Sequence, residues 1–492
     1  MTASLDALLR ALPPAPPPTR DIAGRALGAP RAAVRPTDTA SIAALVAAAA
    51  HARVSVVPYG ARTAYWWPLE LTDAIGLDLT GLDDHRFADG VLEAGAGALI
   101  RPIDLTLRAA GHALAWLPDA FGDTPIGGAA AMAGTSGIGM AQGPFSRTLT
   151  GLEVVTGEGR VLRTGASGAW PHLPMFLRDG VPDLTGLLLG SEGAFGVITR
   201  VWLRPPLAPW LVHLRGVAPL ATVEPLLEVG QRLAALGVLE TLRAVRQSDG
   251  EHPGSFVVDA WATSPWSPAE AAARAEHARA ELHRATGATF RVEAHDAHDR
   301  AGRGPRYEAR WSGPMGAHAA FAERAALLGL DVNAPWPGVA ALIETATDLY
   351  EAKRRSPHVL AARMALYLAP DFLNLGLHAA ASHAPEAAAW AAAFVPEALG
   401  RLWGHGVIPY RVGRSWPQQT LDALDPHVRD AWTRLRRALD PAGVLHPSLP
   451  LLASASGTAG AGEPHPEAPN PAHPGGPEGS SSPTDPGPTD DR

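Results

Sequence analysis

Hydrophobic and polar positions change rhythm along this chain, and the changes mark its elements. From Ser41 to Ala52 apolar residues recur at helical spacing, with Ser41 or Thr39 placed to cap the first turn. Shorter apolar runs follow. Val54–Val57 predicts a strand ending at Pro58-Tyr59-Gly60, Ala74–Leu79 a second, and Val91–Gly95 a third. Pro102–Ala110 reads as a helix. Leu152–Thr156 and Arg160–Arg163 flank Gly157-Glu158-Gly159, which predicts a hairpin. A short helix and a proline-rich linker, Pro13–Pro18, precede them all. The first ~200 residues thus mix short strands with helices, an α+β pattern.

After Pro205-Pro206 the texture changes. Long Ala/Leu/Arg helices (Pro219–Leu236, Pro268–Thr286) alternate with strands such as Phe256–Trp261 and Arg363–Leu368, which predicts a second α+β domain. From Ala453 onward no large apolar residue occurs, so that segment cannot offset its ordering entropy and reads as disordered. The expected organisation is a helix and linker at 1–20, a first domain at 21–205, a second at 206–400, a turn-rich segment at 401–452 and a tail at 453–492.

Composition narrows the chemistry. With 492 residues, two domains are the natural division. A net charge of -8 argues against a nucleic-acid partner. There is no cysteine, which removes disulfides, thiol catalysis and iron–sulfur ligation within the chain. Lys353 is the only lysine, so no phosphate loop with a following lysine exists. It stands in a charged run, Glu351–Arg355, and reads as part of a solvated helix face. No secretion signal or membrane-length apolar run is present, so a soluble, cytoplasmic protein is expected.

Gly190-Ser191-Glu192-Gly193-Ala194-Phe195-Gly196 is the densest glycine turn. It stands between Leu187–Leu189 and Val197–Val201, read as two buried strands that hold it rigid. Exposed backbone N–H groups at such a turn suit an anionic or planar ligand. Gly95-Ala96-Gly97-Ala98-Leu99-Ile100 is like a dinucleotide fingerprint. However, Ile100 replaces the small residue that helix–strand packing needs, so a tight turn without cofactor is the better reading.

Four more elements line up with the glycine turn. They are Val57–Thr63, Pro118–Gly128, Ala133–Gly137 leading to Gly151–Val155, and Leu439–Pro447. This order and spacing resembles the FAD-linked oxidases of the vanillyl-alcohol oxidase/p-cresol methylhydroxylase (PCMH) superfamily, which also holds D-lactate dehydrogenases. The resemblance implies an α+β fold, a two-subdomain PCMH-type FAD-binding domain plus an α+β cap (substrate) domain, with FAD as cofactor. It implies that Pro58, Tyr59, Gly60, Ala61, Arg62 and Thr63 form the pyrophosphate loop. Asp119, Gly127, Gly128, Ala133, Gly134, Thr135 and Ser136 would line the ribityl and isoalloxazine region, and Glu192, Gly196 and Ile198 the adenine end. Ala61 and Arg62 stand where the family has glycines. A positive φ at Arg62 would be strained, and its guanidinium could instead pair with a phosphate. That loop holds no histidine for flavin attachment.

The same resemblance implies an oxidoreductase. It would remove a hydride from an α-hydroxy acid or a phenolic or benzylic alcohol and pass electrons to oxygen or another acceptor. Tyr410-Arg411 resembles the Tyr-Arg pair of phenol-oxidising relatives, where Arg411 would neutralise a phenolate or carboxylate and Tyr410 would hydrogen-bond it. Strand packing by Tyr410 and a domain-bridging Arg411 are the even alternative. His405 is an acid/base candidate or a surface-turn histidine. His378 lies in a strand-like run of the cap, and His446 either touches flavin or caps a turn. His295 and His298 stand in a solvated charged segment, and no metal is expected. The expected partners are a small-molecule substrate and either an electron-acceptor protein or a homo-oligomer, without nucleic acid or membrane span. Two readings compete: an FAD-binding subunit of a glycolate/lactate oxidase-type complex, and a degenerate member without catalysis.

Overall fold

The structure is a computed structural model that describes residues 4–19, 26–63, 70–118, 122–134, 145–248, 251–252, 254–292, 325–410 and 423–447. The helix Thr39–Ala52 forms because Ile42, Leu45, Val46 and Ala49 fall on one buried face. Its cap is Asp38 rather than Ser41 or Thr39. The Asp38 carboxylate accepts from the Ser41 N–H at 2.7 Å and from the Ser41 hydroxyl at 2.8 Å.

Three strands, β1 (Ala32–Val34), β2 (Val56–Tyr59) and β3 (Ile75–Asp78), pair in parallel in the order β1-β3-β2. Pro58 is tolerated because β2 is an edge. Beyond that edge Val56 bonds Val444 and His446, and each N–H···O distance is 2.8 or 2.9 Å. A second sheet holds β4 (His85–Ala88), β5 (Val91–Gly95), β6 (Leu149–Val155), β7 (Val161–Arg163) and β8 (Val197–Leu203), antiparallel in the order β4-β5-β8-β6-β7. The expected hairpin is β6–β7.

Between β5 and the helix Ile100–Ala109 the turn is closed by packing. A Cβ on Gly97 would overlap the Leu79 carbonyl, and Ile100 is fully buried. The Leu187–Leu189 run is not a strand. Asp183 caps a helix, Leu184–Leu188, by accepting from the Gly186 N–H. Only β8 flanks the glycine turn as a strand.

The remaining strands form one antiparallel sheet. They are β9 (Trp210–Pro219), β10 (Leu239–Gln247), β11 (Ser255–Ser264), β12 (Phe290–Val292), β13 (Ala326–Pro335), β14 (Val359–Leu368), β15 (Phe372–Ala381) and β16 (Ile408–Pro409). Their order is β12-β9-β11-β10-β14-β15-β13-β16. Alternation along each strand assigns its two faces. Leu214, Ala244, Ala260, Leu366, Leu375 and Val332 share a core with the helices Val223–Ala235, Pro268–Thr286, Val339–Arg354 and Pro385–Trp403. Trp261, Ala365 and Tyr367, on the opposite face, join the core that holds Trp116, Phe145 and the other two sheets.

Lys353 corrects one expectation. It is 2% exposed, not solvated. In the helix Val339–Arg354 the buried positions include Leu342, Ala346, Leu349 and Tyr350, and Lys353 continues that stripe one turn further. Its ammonium donates to the Leu377 carbonyl at 2.7 Å and stands 5.3 Å from the centre of the Phe394 ring.

Candidate functional site

The glycine-rich elements converge. A Cβ on Gly60 would lie 2.9 Å from Pro125 Cγ, and one on Gly193 would lie 3.3 Å from Pro58 Cγ. The loop after β2 is therefore held between the Pro125 turn and the Gly190–Gly196 turn. That second turn carries positive φ at Gly190, Glu192 and Gly193. Its Gly190 and Glu192 N–H groups donate to the carbonyls of Ala130 and Ala131, at 3.3 and 3.0 Å. These carbonyls close the helix Ile126–Met132, whose exposed end groups need such partners. The helix begins with Gly127 and Gly128. A Cβ on Gly127 would overlap Ala96, whereas one on Gly128 would meet nothing within 4 Å.

Arg62 takes the conformation that its side chain disfavours. Its φ is +60°, while Ala61 has no positive φ. The loop thus keeps a glycine-like backbone at Arg62, at a cost of roughly 1–2 kcal/mol. Tyr59, just upstream, is buried with a hydroxyl that has no hydrogen-bond partner among the described residues. Burial, together with Asp78, pushes its pKa up to about 12. Glu192 is 3% exposed, and Gly196 and Ile198 are buried beside it.

The Leu439–Pro447 element braces this loop from outside. Asp440 is 2% exposed and accepts from the N–H groups of Val444 and Leu445, at 3.1 and 2.8 Å. A Cβ on Gly157 would overlap the same carboxylate. His446 is fully buried; burial first, then Arg436, lowers its pKa to about 3.

Tyr410 links the large sheet to this assembly. Its N–H donates to the Asp331 carbonyl at 2.9 Å, which extends the β13–β16 pairing by one residue. A Cβ on Gly134 would lie 3.1 Å from the Tyr410 hydroxyl and 2.9 Å from Trp116 Cζ2. Gly134 follows Ala133, which ends the Gly127–Gly128 helix at a φ of +41°.

On the same sheet face His378 Nε2 lies 3.0 Å from Asp331 Oδ1. Gly376 pairs with Asp331 across β13–β15 and makes room for this contact, since a Cβ there would lie 2.6 Å from both Asp331 Oδ1 and His378 Cε1. Further along, buried Asp259 bonds His213 and Arg243, each at 3.0 Å, and the His213 ring stacks on Trp261.

His405 is not brought to this face. Its Nε2 lies 2.9 Å from Thr345 Oγ1, on a helix that packs against the other side of the sheet. Asp119, Thr135, Ser136, Arg411, His295, His298 and the 453–492 segment lie outside the described residues. Among the described residues no group of three or more His, Asp or Glu side chains could hold a metal ion, and no helix is long and apolar enough to cross a membrane. Sequence reasoning missed Trp116 and Asp331. Asp331 had a usable signal: Leu330, Val332 and Ala334 alternate as apolar neighbours, so Asp331 must face the other side.

Residues 30–165 match the FAD binding domain family. Cytokinin dehydrogenase 8 of Oryza sativa subsp. indica is 27% identical over 223 residues, covering 41% of this chain and 39% of that protein. A probable mitochondrial D-lactate dehydrogenase of Danio rerio is 26% identical over 180 residues, covering 36% of this chain and 35% of that protein. The matched stretch thus spans well under half the length of these curated relatives. Substrate-bound p-cresol methylhydroxylase superposes with a TM-score of 0.73 at 14% identity, covering 87% of this chain and 91% of that one.

The residues present fit FAD. The loop after β2 keeps a left-handed backbone at Arg62, and turns of this kind suit an anionic ligand. Gly128 leaves open space beside its helix, and the buried Tyr59 hydroxyl and Trp116 indole N–H have no partner among the described residues. The cofactor is FAD, bound by a domain that matches the FAD binding domain family over residues 30–165, and the fold is that of p-cresol methylhydroxylase.

Proposed function

We propose that this protein is an FAD-dependent oxidoreductase acting on a hydroxylated small molecule, with an α-hydroxy acid or a phenolic or benzylic alcohol as substrate. The observation that carries the reading is the approach of the Tyr410 hydroxyl to Gly134. It puts a hydrogen-bonding side chain of the large sheet against the turn that closes the Gly127–Gly128 helix. The substrate classes follow from the names of the lactate- and cresol-oxidising proteins that this chain resembles.

In this reading residues 21–205 hold FAD, 206–400 form the cap and 401–452 return to the cofactor. The loop Pro58–Thr63 binds the diphosphate, with the Arg62 guanidinium as its cation. Asp119, Gly127, Gly128 and Ala133–Ser136 lie along the ribityl and ring portion, and Glu192, Gly196 and Ile198 toward the adenine. Bound FAD supplies the two-electron acceptor for a substrate hydride. Tyr410 hydrogen-bonds the substrate oxygen, and Arg411, the next residue, neutralises an anionic substrate. The Asp331–His378 pair stands next to Tyr410 in the sheet and takes the hydroxyl proton, with Asp331 orienting the imidazole. Electrons then leave to oxygen or another acceptor.

Purified protein mixed with FAD tests the reading directly. A bound flavin spectrum is expected, and one of a panel of hydroxy acids and phenols should bleach it without oxygen. A protein that acquires no flavin absorbance would overturn the proposal.

A further inference from the structure

Trp116 is a large polar-edged side chain set where an apolar one would pack as well. It is 4% exposed and meets Phe145 edge-on, with ring centroids 5.2 Å apart. Its Nε1–H is buried and has no hydrogen-bond partner among the described residues. Tryptophan is normally placed in a core where its N–H reaches an acceptor, because a buried donor left unpaired forfeits its hydration without return. An apolar side chain of the same shape would carry no such penalty.

The location of the unpaired donor gives it meaning. The indole edge that carries Nε1 faces Gly134. A Cβ on Gly134 would lie 2.9 Å from Trp116 Cζ2 and 3.7 Å from Cε2, the atom bonded to Nε1. The same point is 3.1 Å from the Tyr410 hydroxyl. An indole edge and a phenol hydroxyl, from opposite sides of the assembly, therefore converge on one residue without a side chain.

We propose that Trp116 Nε1–H donates a hydrogen bond to an oxygen of the bound ligand, either a carbonyl oxygen of the flavin or the oxygen of the substrate. This rests on the function proposed above. No bond is made or broken by Trp116; it is a binding and positioning residue.

The test replaces the N–H alone. Trp116→Phe, and site-specific 3-benzothienylalanine at 116, which puts sulfur in place of N–H and keeps the ring shape, are compared with wild type by circular dichroism and thermal melting. FAD affinity is then measured on apoprotein by fluorescence. On holoprotein the affinities of phenol and pyruvate, as unreactive mimics, are measured by flavin difference spectra. A loss of about tenfold is expected, the size of one hydrogen bond to a ligand. A loss in FAD affinity assigns the flavin oxygen. A loss confined to the mimics assigns the substrate oxygen. If the folded sulfur analogue binds FAD and both mimics as wild type does, the donor serves no ligand and the inference fails. If wild type itself binds no FAD, it is the proposed function that fails.

Discussion

The Nζ of Lys353 donates to the carbonyl of Leu377, the residue that precedes His378 in β15. The only lysine of the chain is thus spent under the sheet, behind the face that carries the Asp331–His378 pair.

That placement sets a pH dependence. Burial lowers Lys353 to about 7, against the opposing pull of Asp331. In the unfolded chain it titrates near ~10.4. Between these values the unfolded state binds more protons, so stability rises with pH across the window from about 7 to ~10.4. Lys353→Met should remove this slope and stabilise the protein at pH 7, by on the order of a few kcal/mol. Urea melts at pH 7 and pH 10 check it, and a wild type equally stable at both would refute it.

His446 gives the acid limb. Its pKa is about 3 when folded and near its ordinary ~6.5 when unfolded. The unfolded chain again binds the extra proton, so stability is lost as pH falls from ~6.5 toward 3. His446→Asn should flatten this part of a stability–pH curve measured by denaturant melts. An unchanged acid slope in the variant would rule the assignment out.

Arg62→Gly separates strain from binding. Removing the left-handed strain gains roughly 1–2 kcal/mol, and the freer unfolded chain gives back about 0.4–1 kcal/mol. Apoprotein stability should stay level or rise, by no more than about 1.6 kcal/mol. On the proposed function FAD affinity should fall, because the guanidinium assigned to the diphosphate is gone. Unaltered FAD affinity would instead favour the degenerate reading of this loop.

Gly127 and Gly128 are neighbours with opposite expectations. Alanine at 127 runs into Ala96 backbone and should destabilise the apoprotein by roughly 1–3 kcal/mol. Alanine at 128 enters open space on an exposed helix position and should stabilise the apoprotein by up to ~1 kcal/mol. It should nevertheless weaken FAD binding if, as proposed, the flavin lies in that space. Paired thermal melts and flavin titrations decide, and Gly128→Ala with wild-type FAD affinity would move the flavin elsewhere.

Tyr410→Phe keeps the ring against Gly134 and removes only the hydroxyl. The rate of anaerobic flavin reduction should fall by roughly 10²-fold or more, with FAD content unchanged. Stopped-flow reduction at wild-type rate would take Tyr410 out of the chemistry.

Much of the fold was legible where its signals are local. Glycines at turns, the β6–β7 hairpin and the helix Pro268–Thr286 each declare themselves within a few residues. The errors came where a local signal had two outcomes. Leu187–Leu189 is equally apolar in a strand or in a capped helix turn, and Asp183 decided it. Lys353 looked solvated from its charged neighbours, but the helical stripe it completes lies inward. The convergence of Trp116, Gly134 and Tyr410 was not legible at all. It depends on the pairing of β13 with β16, which no short window of sequence encodes.

The pairing of Val56 with Val444 and His446 carries a consequence for how the molecule comes into being. The strand β2 stays an open edge until a segment made after the whole eight-stranded sheet reaches it. During synthesis the FAD half must wait with unpaired backbone while the cap is built. Closure of that gap is a long-range event, so the cofactor site should be among the last parts of this chain to mature.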